Sequence, residues 1–125
     1  MLDTHAIIWW LGEVELLTMT AFDVMADGTI DVYVSSVSAM EIATKYRIGK
    51  LSKASGYAGR LEEVIVEQGF KPLALTPAHA DLAGSFVSSN NDPWDRLLAA
   101  QAKIENLTLV SNDSKMEEFG ISQYW

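Results

Sequence analysis

The sequence predicts a three-layer α/β/α domain with a mainly parallel central sheet. Short apolar segments of strand composition alternate with longer segments of helical periodicity, which is typical of a sheet covered on both faces. The chain has 125 residues, of which 49% are hydrophobic, so one domain with a sizeable core is expected. No repeat, linker or low-complexity tract divides it, and residues 1–125 are therefore interpreted as a single domain.

The first part of the chain predicts two helices and a strand. Met1-Leu2 is too short to assign as a strand and is compatible with the end of one. Thr4 is a suitable cap for a helix that Gly12 would end. Segment 16–26 has helical spacing. Segment 31–36 is β-branched and aromatic, which predicts a buried strand.

The middle of the chain continues the alternation. Segment 38–51 predicts a helix that Gly49 would end, and segment 57–68 predicts another that Gly69 would end. Segment 71–75 is short and apolar, and it predicts a strand or an extended piece.

The last part of the chain predicts two helices that follow prolines. Pro77 would open a helix to about residue 87, and Pro93 would open the helix 94–104, because proline is favoured at the first helical position. Segment 107–111 predicts a strand, 115–119 a short helix and 121–124 a last strand.

Composition excludes several classes of protein. The chain has no cysteine, which excludes disulfides and thiolate metal sites and fits a cytoplasmic protein. No apolar run approaches the roughly 20 residues that cross a membrane, and the start has no basic region typical of a secretory signal.

The charge distribution is uneven. The formal net charge of −8 counts against a general affinity for nucleic acid. However, five of the nine basic residues fall within one short segment: Lys45, Arg47, Lys50, Lys53 and Arg60. This segment could still bind a polyanion, although a plain solvated face is the alternative.

Carboxylates near the ends of predicted strands and helices suggest a binding site for a cation. Asp3 and Asp113 follow predicted strands, where ligands of parallel sheets collect. Asp92 is readily explained as the cap of the Pro93 helix, whereas Asp95 could be either a dipole-stabilised helix residue or a metal ligand. Glu41 could belong to a capping box with Ser38, but its apolar neighbours favour burial.

Together, four such carboxylates would repel one another unless a divalent cation neutralised them. Oxygen ligands without cysteine favour Mg²⁺ or Mn²⁺ over zinc. One or two of these ions can activate water for phosphodiester hydrolysis. Turn formation remains the alternative for Asp113.

Three blocks of sequence resemble the PIN-domain family, and most closely its VapC-type toxins: "LDTHAIIWWL", "VSSVSAMEIATKYRIGKL" and "DPWDRLLAAQA" followed by "LTLVSND". The resemblance spans nearly the whole chain. It implies a PIN-like α/β/α fold and a Mg²⁺- or Mn²⁺-dependent endoribonuclease that acts as a toxin. It also implies a VapB-type antitoxin partner and a homodimer.

The resemblance places the family's acidic residues on four positions: Asp3, Glu41, Asp95 and Asp113. It places supporting hydroxyls on Thr4 and Ser111. Lys45, Arg47, Lys50 and Arg96 are the candidate RNA contacts, with a solvated ion-pair role as the alternative for Arg96. One departure is that only two residues precede Asp3, where family members carry a central strand.

Two other functions compete with a ribonuclease. An inert PIN-like interaction module would keep the fold without catalysis. A receiver-like phosphotransfer domain would need a lysine after a strand, and Lys71 instead precedes a strand-like segment.

His5 could touch substrate or metal, although imidazole suits zinc better than magnesium. Trp9 and Trp10 cannot face the same side of a helix, so one is expected in the core and the other at a contact surface.

Overall fold

The computed structural model describes residues 1–125 and contains a parallel sheet. Its strands are short: β1 (Tyr33–Ser35), β2 (Lys71–Leu73), β3 (Leu109–Val110) and β4 (Gln123–Tyr124). The first two strands pair in parallel, and so do the last two. Each lies inside the segment that the sequence predicts for it, and the predicted parallel arrangement is confirmed.

Leu2 joins the two strand pairs into one sheet. It forms isolated parallel bridges with Val34 of β1 and with Val110 of β3. The Leu2 N–H donates to Tyr33 O at 2.8 Å, and the Asp3 N–H donates to Val110 O at 3.1 Å. The order across the sheet is therefore β2, β1, Leu2, β3, β4, with a single residue in the central place.

Six helices accompany the sheet: α1 (Thr4–Gly12), α2 (Met19–Ala26), α3 (Ser36–Arg47), α4 (Leu61–Glu67), α5 (Pro77–Ser85) and α6 (Pro93–Ile104). Each lies largely within a predicted helical segment. Three 3₁₀ segments complete the chain: Val14–Leu16, Ser52–Gly56 and Ser114–Phe119. None of the helices combines the length and apolarity needed to cross a bilayer.

The predicted cap of α1 is wrong, and the capping box offered as an alternative for Glu41 is not formed. Asp3 rather than Thr4 caps α1, and its Oδ1 accepts the Ala6 N–H at 2.7 Å. Ser35 caps α3 directly after β1, so the helix starts two residues before Ser38. Glu41 consequently lies in the second turn of a helix rather than in a capping box.

The core has two parts, as a three-layer fold requires. One hydrophobic cluster packs α1, α2 and α4 against Leu2 and Val110. The other packs α6 and the Ser114–Phe119 segment against Met1 and Leu109. Successive residues of a strand point to opposite faces of the sheet. Leu2 and Val110 therefore face one cluster, whereas their neighbours Met1 and Leu109 face the other.

Candidate active site

Leu2, β1 and β3 are neighbours in the sheet, and the chain leaves all three at the same edge. Asp3 follows Leu2, α3 follows β1 without a loop, and Asp113 lies three residues beyond β3. The chain runs from Leu2 outward to β1 and β2, then returns to place β3 on the other side of Leu2. Ligands of open parallel sheets bind at such a reversal of strand order.

A cavity of about 40 Å³ lies at this edge. The residues that line it are Asp3, Thr4, His5, Glu41, Asp95, Leu98, Asp113 and Met116. The structure thus brings all four predicted carboxylates to one place. A water molecule needs about 10–15 Å³ of such space, so the cavity can hold a cation with one or two waters.

Asp3 is buried, with 7% of its surface exposed. Burial raises the pKa of Asp3, and the charge of Glu41 raises it further. The Ser111 side chain and the Ala6 N–H oppose this rise by hydrogen bonding to the charged form. Ser111 therefore lies next to one of the acidic residues, and its predicted supporting role stays a prediction.

Thr4 begins α1 beside Asp3, and its hydroxyl forms a hydrogen bond with the Ser38 hydroxyl at 3.1 Å. Both residues are buried. This contact ties α1 to α3, the helix that carries Glu41. Ser38 was expected only as a capping residue, and its contact with Thr4 could not be predicted without the fold.

Glu41 is 6% exposed and has a partner within its own helix. Lys45 Nζ lies 2.6 Å from Glu41 Oε1, one turn further along α3. A buried carboxylate needs such a partner. Lys45 therefore stands at the cavity as the counter-charge of Glu41.

Asp95 occupies the third position of α6, after the Asp92 cap and Pro93. Burial raises the pKa of Asp95, and the charges of Asp92, Asp113 and Glu41 raise it further. Asn90 opposes the rise, because its Nδ2 donates to Asp95 Oδ2 at 2.9 Å.

Asn90 is a residue of the site that sequence reasoning missed. It is 8% exposed, and its Oδ1 accepts the Asp92 N–H at 2.9 Å. The Glu118 carboxylate accepts hydrogen bonds from Ser88, Ser89 and the Asn90 N–H, and so holds the loop before α6. The only sequence signal was an amide residue shortly before a proline-opened helix.

Asp113 caps the Ser114–Phe119 segment, and its Oδ1 accepts the Lys115 N–H at 2.9 Å. Its own N–H donates to the Ser111 hydroxyl at 3.1 Å. The turn-forming role that the sequence offered as an alternative is therefore present. It coexists with a place in the cavity wall.

The donor chemistry of the cavity fits a hard divalent cation. The four carboxylates supply only oxygen ligands, and repulsion among them favours a cation. Each uses one oxygen in a contact with the protein. In this conformation, however, no three acidic or histidine side chains converge closely enough to hold an ion.

The four predicted RNA contacts have different surroundings. Arg47 and Lys50 are exposed near the end of α3, whereas Lys45 is paired with Glu41. The Arg96 guanidinium donates to three backbone carbonyls, those of Ala83, Phe86 and Asn90. This arrangement favours a structural role for Arg96, which the predicted ion pair did not anticipate.

A larger hollow of about 310 Å³ lies elsewhere, between α3, α4 and β2. Glu62 is the only titratable residue in its otherwise largely apolar lining. This hollow therefore lacks the neighbouring titratable groups that acid–base or nucleophilic catalysis requires. The acidic cavity is therefore the candidate active site.

The fold and the site together describe the class: a three-layer α/β domain with an acidic cavity at the carboxyl edge of its parallel sheet. The model of the PIN domain matches residues 1–121, and the chain belongs to the PIN-domain family. The family and the PIN-like fold expected from the sequence are confirmed.

Individual relatives agree with this assignment. The chain is 26% identical to Ribonuclease VapC22 of Mycobacterium tuberculosis over 117 residues, which cover 93% of this chain and 88% of that protein. The expected likeness to VapC-type proteins is thus confirmed.

Solved structures share the fold. One is VapBC2 from Rickettsia felis bound to a DNA fragment from its promoter, with a TM-score of 0.69 and 16% identity. Another is FitAcB from Neisseria gonorrhoeae, with a TM-score of 0.65 and 21% identity. Each match covers 98% of this chain and 94% of the other.

Proposed function

We propose that this protein is a Mg²⁺- or Mn²⁺-dependent endoribonuclease that acts as the toxin of a toxin–antitoxin pair. The observation that carries the proposal is the cavity of four carboxylates in a PIN domain. The similarity to a VapC ribonuclease supports RNA as the substrate. Such a toxin would act in the cytoplasm, where its RNA substrate is.

Asp3, Glu41, Asp95 and Asp113 would hold the metal. A bound Mg²⁺ or Mn²⁺ supplies an activated water and offsets the charge of the phosphodiester. The protein fixes these ligands from four different elements, and the Ala6, Lys45, Asn90 and Lys115 contacts orient them. Leu98 and Met116 form an apolar part of the wall, which limits the water around the charges.

The basic residues have separate tasks in this proposal. Arg47 and Lys50 are exposed and form no ion pair, so they are free to contact the RNA backbone. Lys45 stabilises the buried Glu41 carboxylate through their ion pair. An RNA contact by Arg96 stays a prediction, and its three carbonyl partners do not support it.

A VapB-type antitoxin and a second copy of the chain are the proposed partners. A structural neighbour is a VapBC complex, which supports the first. Exposed apolar side chains are available for such contacts, among them Met19, Met40 and Val87. Coexpression with the antitoxin followed by measurement of mass and stoichiometry tests both partners.

The activity is tested by cleavage of a cellular RNA pool with Mg²⁺, with Mn²⁺ and with a chelator. Asp95→Asn keeps the Asn90 hydrogen-bond acceptor but removes one metal-ligand charge. Loss of several kcal/mol of transition-state stabilisation predicts a fall in rate of about 100-fold or more. Asp92→Asn is the matched control, because it removes a neighbouring charge and Asn caps helices equally well. Full activity of Asp95→Asn would overturn the site.

A PIN-like interaction module without catalysis is the second candidate. One observation favours it: no three potential ligands converge in this conformation. Titration calorimetry with Mn²⁺ separates the two candidates, because the inert module would give no heat of binding while remaining folded by circular dichroism.

A further inference from the structure

Three aromatic side chains extend from the wall of the acidic cavity, and we call them the aromatic row: His5, Trp9 and Trp125. His5 is exposed and lines the cavity. Its ring centroid lies 5.7 Å from that of Trp9, one helical turn further along α1. The Trp9 centroid lies 5.4 Å from that of Trp125 in an edge-to-face contact, and both indoles are half-buried against the core.

The far end of the aromatic row borders a second hollow of about 270 Å³. Trp125 forms part of its wall together with Ser111 and Asn112. Ser111 also supports Asp3 in the first cavity. The two spaces therefore share a boundary, and the aromatic row connects their walls.

The chemistry of this surface suits nucleobases. Aromatic and imidazole rings stack on the faces of unpaired bases. The exposed amide of Asn112 and the hydroxyl of Ser114, which also line the hollow, can bond to base edges. Bases inside a duplex are already stacked and cannot reach such rings, so the surface selects single strands or loops.

The charge of the protein gives stacking a particular importance. The net charge is −8, and Lys45 beside the cavity is already paired with Glu41. Phosphate contacts normally dominate affinity for nucleic acid, and on this acidic protein the exposed, unpaired Arg47 and Lys50 are the candidates for them. Stacking requires no positive charge.

We propose that the aromatic row is a stacking platform for unpaired bases next to the cleaved phosphodiester. This inference rests on the proposed ribonuclease function and deepens it. His5 contacts the base nearest the cavity, and Trp9 and Trp125 contact the bases beyond it.

Kinetics of the enzyme on an unstructured RNA test the platform. His5→Ala, Trp9→Leu and Trp125→Leu each remove one ring, and stacking energies predict a rise in KM of roughly 5- to 100-fold with little change in kcat. Trp9→Phe keeps an aromatic face and restores most of the affinity. Trp10→Leu is the control, since Trp10 packs against Phe22 and Phe70 outside the aromatic row.

Binding is measured separately by NMR. The wild-type indole N–H resonances are assigned with the tryptophan variants, and short RNA is added in the Asp95→Asn background to prevent cleavage. The resonances of Trp9 and Trp125 should shift with unstructured RNA and much less with a fully paired hairpin, while that of Trp10 stays in place. The tryptophan variants serve only to assign the resonances. RNA is added to a protein whose aromatic row is intact, so the binding result does not depend on a substitution there.

The outcomes separate the platform from the activity. Metal-dependent cleavage with unchanged KM in all three variants and unmoved indole resonances overturns the platform and leaves the ribonuclease intact. Equal binding of hairpin and single strand also overturns it. Concentration-dependent shifts of the Trp9 resonance without RNA would instead assign the aromatic row to a contact between copies. Absence of cleavage and of RNA binding by the wild type removes both proposals.

Discussion

Replacement of Arg96 distinguishes a structural clamp from an RNA contact. Its guanidinium donates to Ala83 O at 3.0 Å, to Phe86 O at 2.6 Å and to Asn90 O at 2.8 Å. These bonds connect the end of α5 and the following loop to α6. Hydrogen bonds to charged groups contribute roughly 1.5–3 kcal/mol each.

The three bonds are not additive, because Arg96 is only partly buried and water can replace some of them. Arg96→Gln should therefore lower the free energy of unfolding by about 3 kcal/mol. For a domain of this length, such a loss lowers Tm by roughly 10 °C. Arg47→Gln is the control, because an exposed arginine without an ion pair should change stability by less than about 0.5 kcal/mol.

Urea unfolding followed by tryptophan fluorescence measures both variants, and RNA affinity is measured on the same samples. If Arg96 is a structural clamp, the Arg96→Gln protein should have a lower free energy of unfolding than the wild type. Its affinity for RNA should stay close to that of the wild type under conditions in which it is folded. An Arg96→Gln protein as stable as the wild type but with weakened RNA binding would refute this reasoning and restore the phosphate contact.

Further predictions concern the supports of the cavity. Asn90→Ala should weaken Mn²⁺ binding about 10- to 100-fold by calorimetry, as loss of a residue that orients a ligand does. Because burial raises the folded pKa of Asp3 and of Asp95, their favourable contribution to stability is present at low pH and is lost as pH rises through the folded pKa. The metal-free protein should therefore gain from these two groups as pH falls from 7 toward 4, and Asp95→Asn should be more stable than the wild type at pH 7, both checked by thermal melts. His79→Ala should lower the free energy of unfolding by about 2–4 kcal/mol in urea, because buried His79 bonds to Glu105 at the end of α6.

The helices were predictable because their signals are local. The Asp92–Pro93 pair marks the start of α6. The Asp92 side chain accepts the Trp94 and Asp95 N–H groups, as an N-cap should. Glycine marks helix ends equally well: Gly49 and Gly69 both have positive φ.

Other features depend on long-range contacts, which no single segment contains. Leu2 bridges residues 32 and 108 positions away, and a two-residue segment carries no strand pattern. Asn90 and Ser38 acquire their positions only when α6 and α3 meet at the cavity. The burial of Glu41 was predictable from its apolar neighbours. The start of α3 at Ser36 was not, because the predicted strand extended to that residue.

The place of Leu2 in the sheet has a mechanical consequence. Glu41 follows β1 and Asp113 follows β3, and within the sheet only Leu2 lies between these two strands. The Ser35–Gln101 hydrogen bond joins the same two sides away from the sheet. The distance between Glu41 and Asp113 therefore depends in part on the backbone hydrogen bonds of Leu2 and Asp3, and a proline at position 2 would remove one of them.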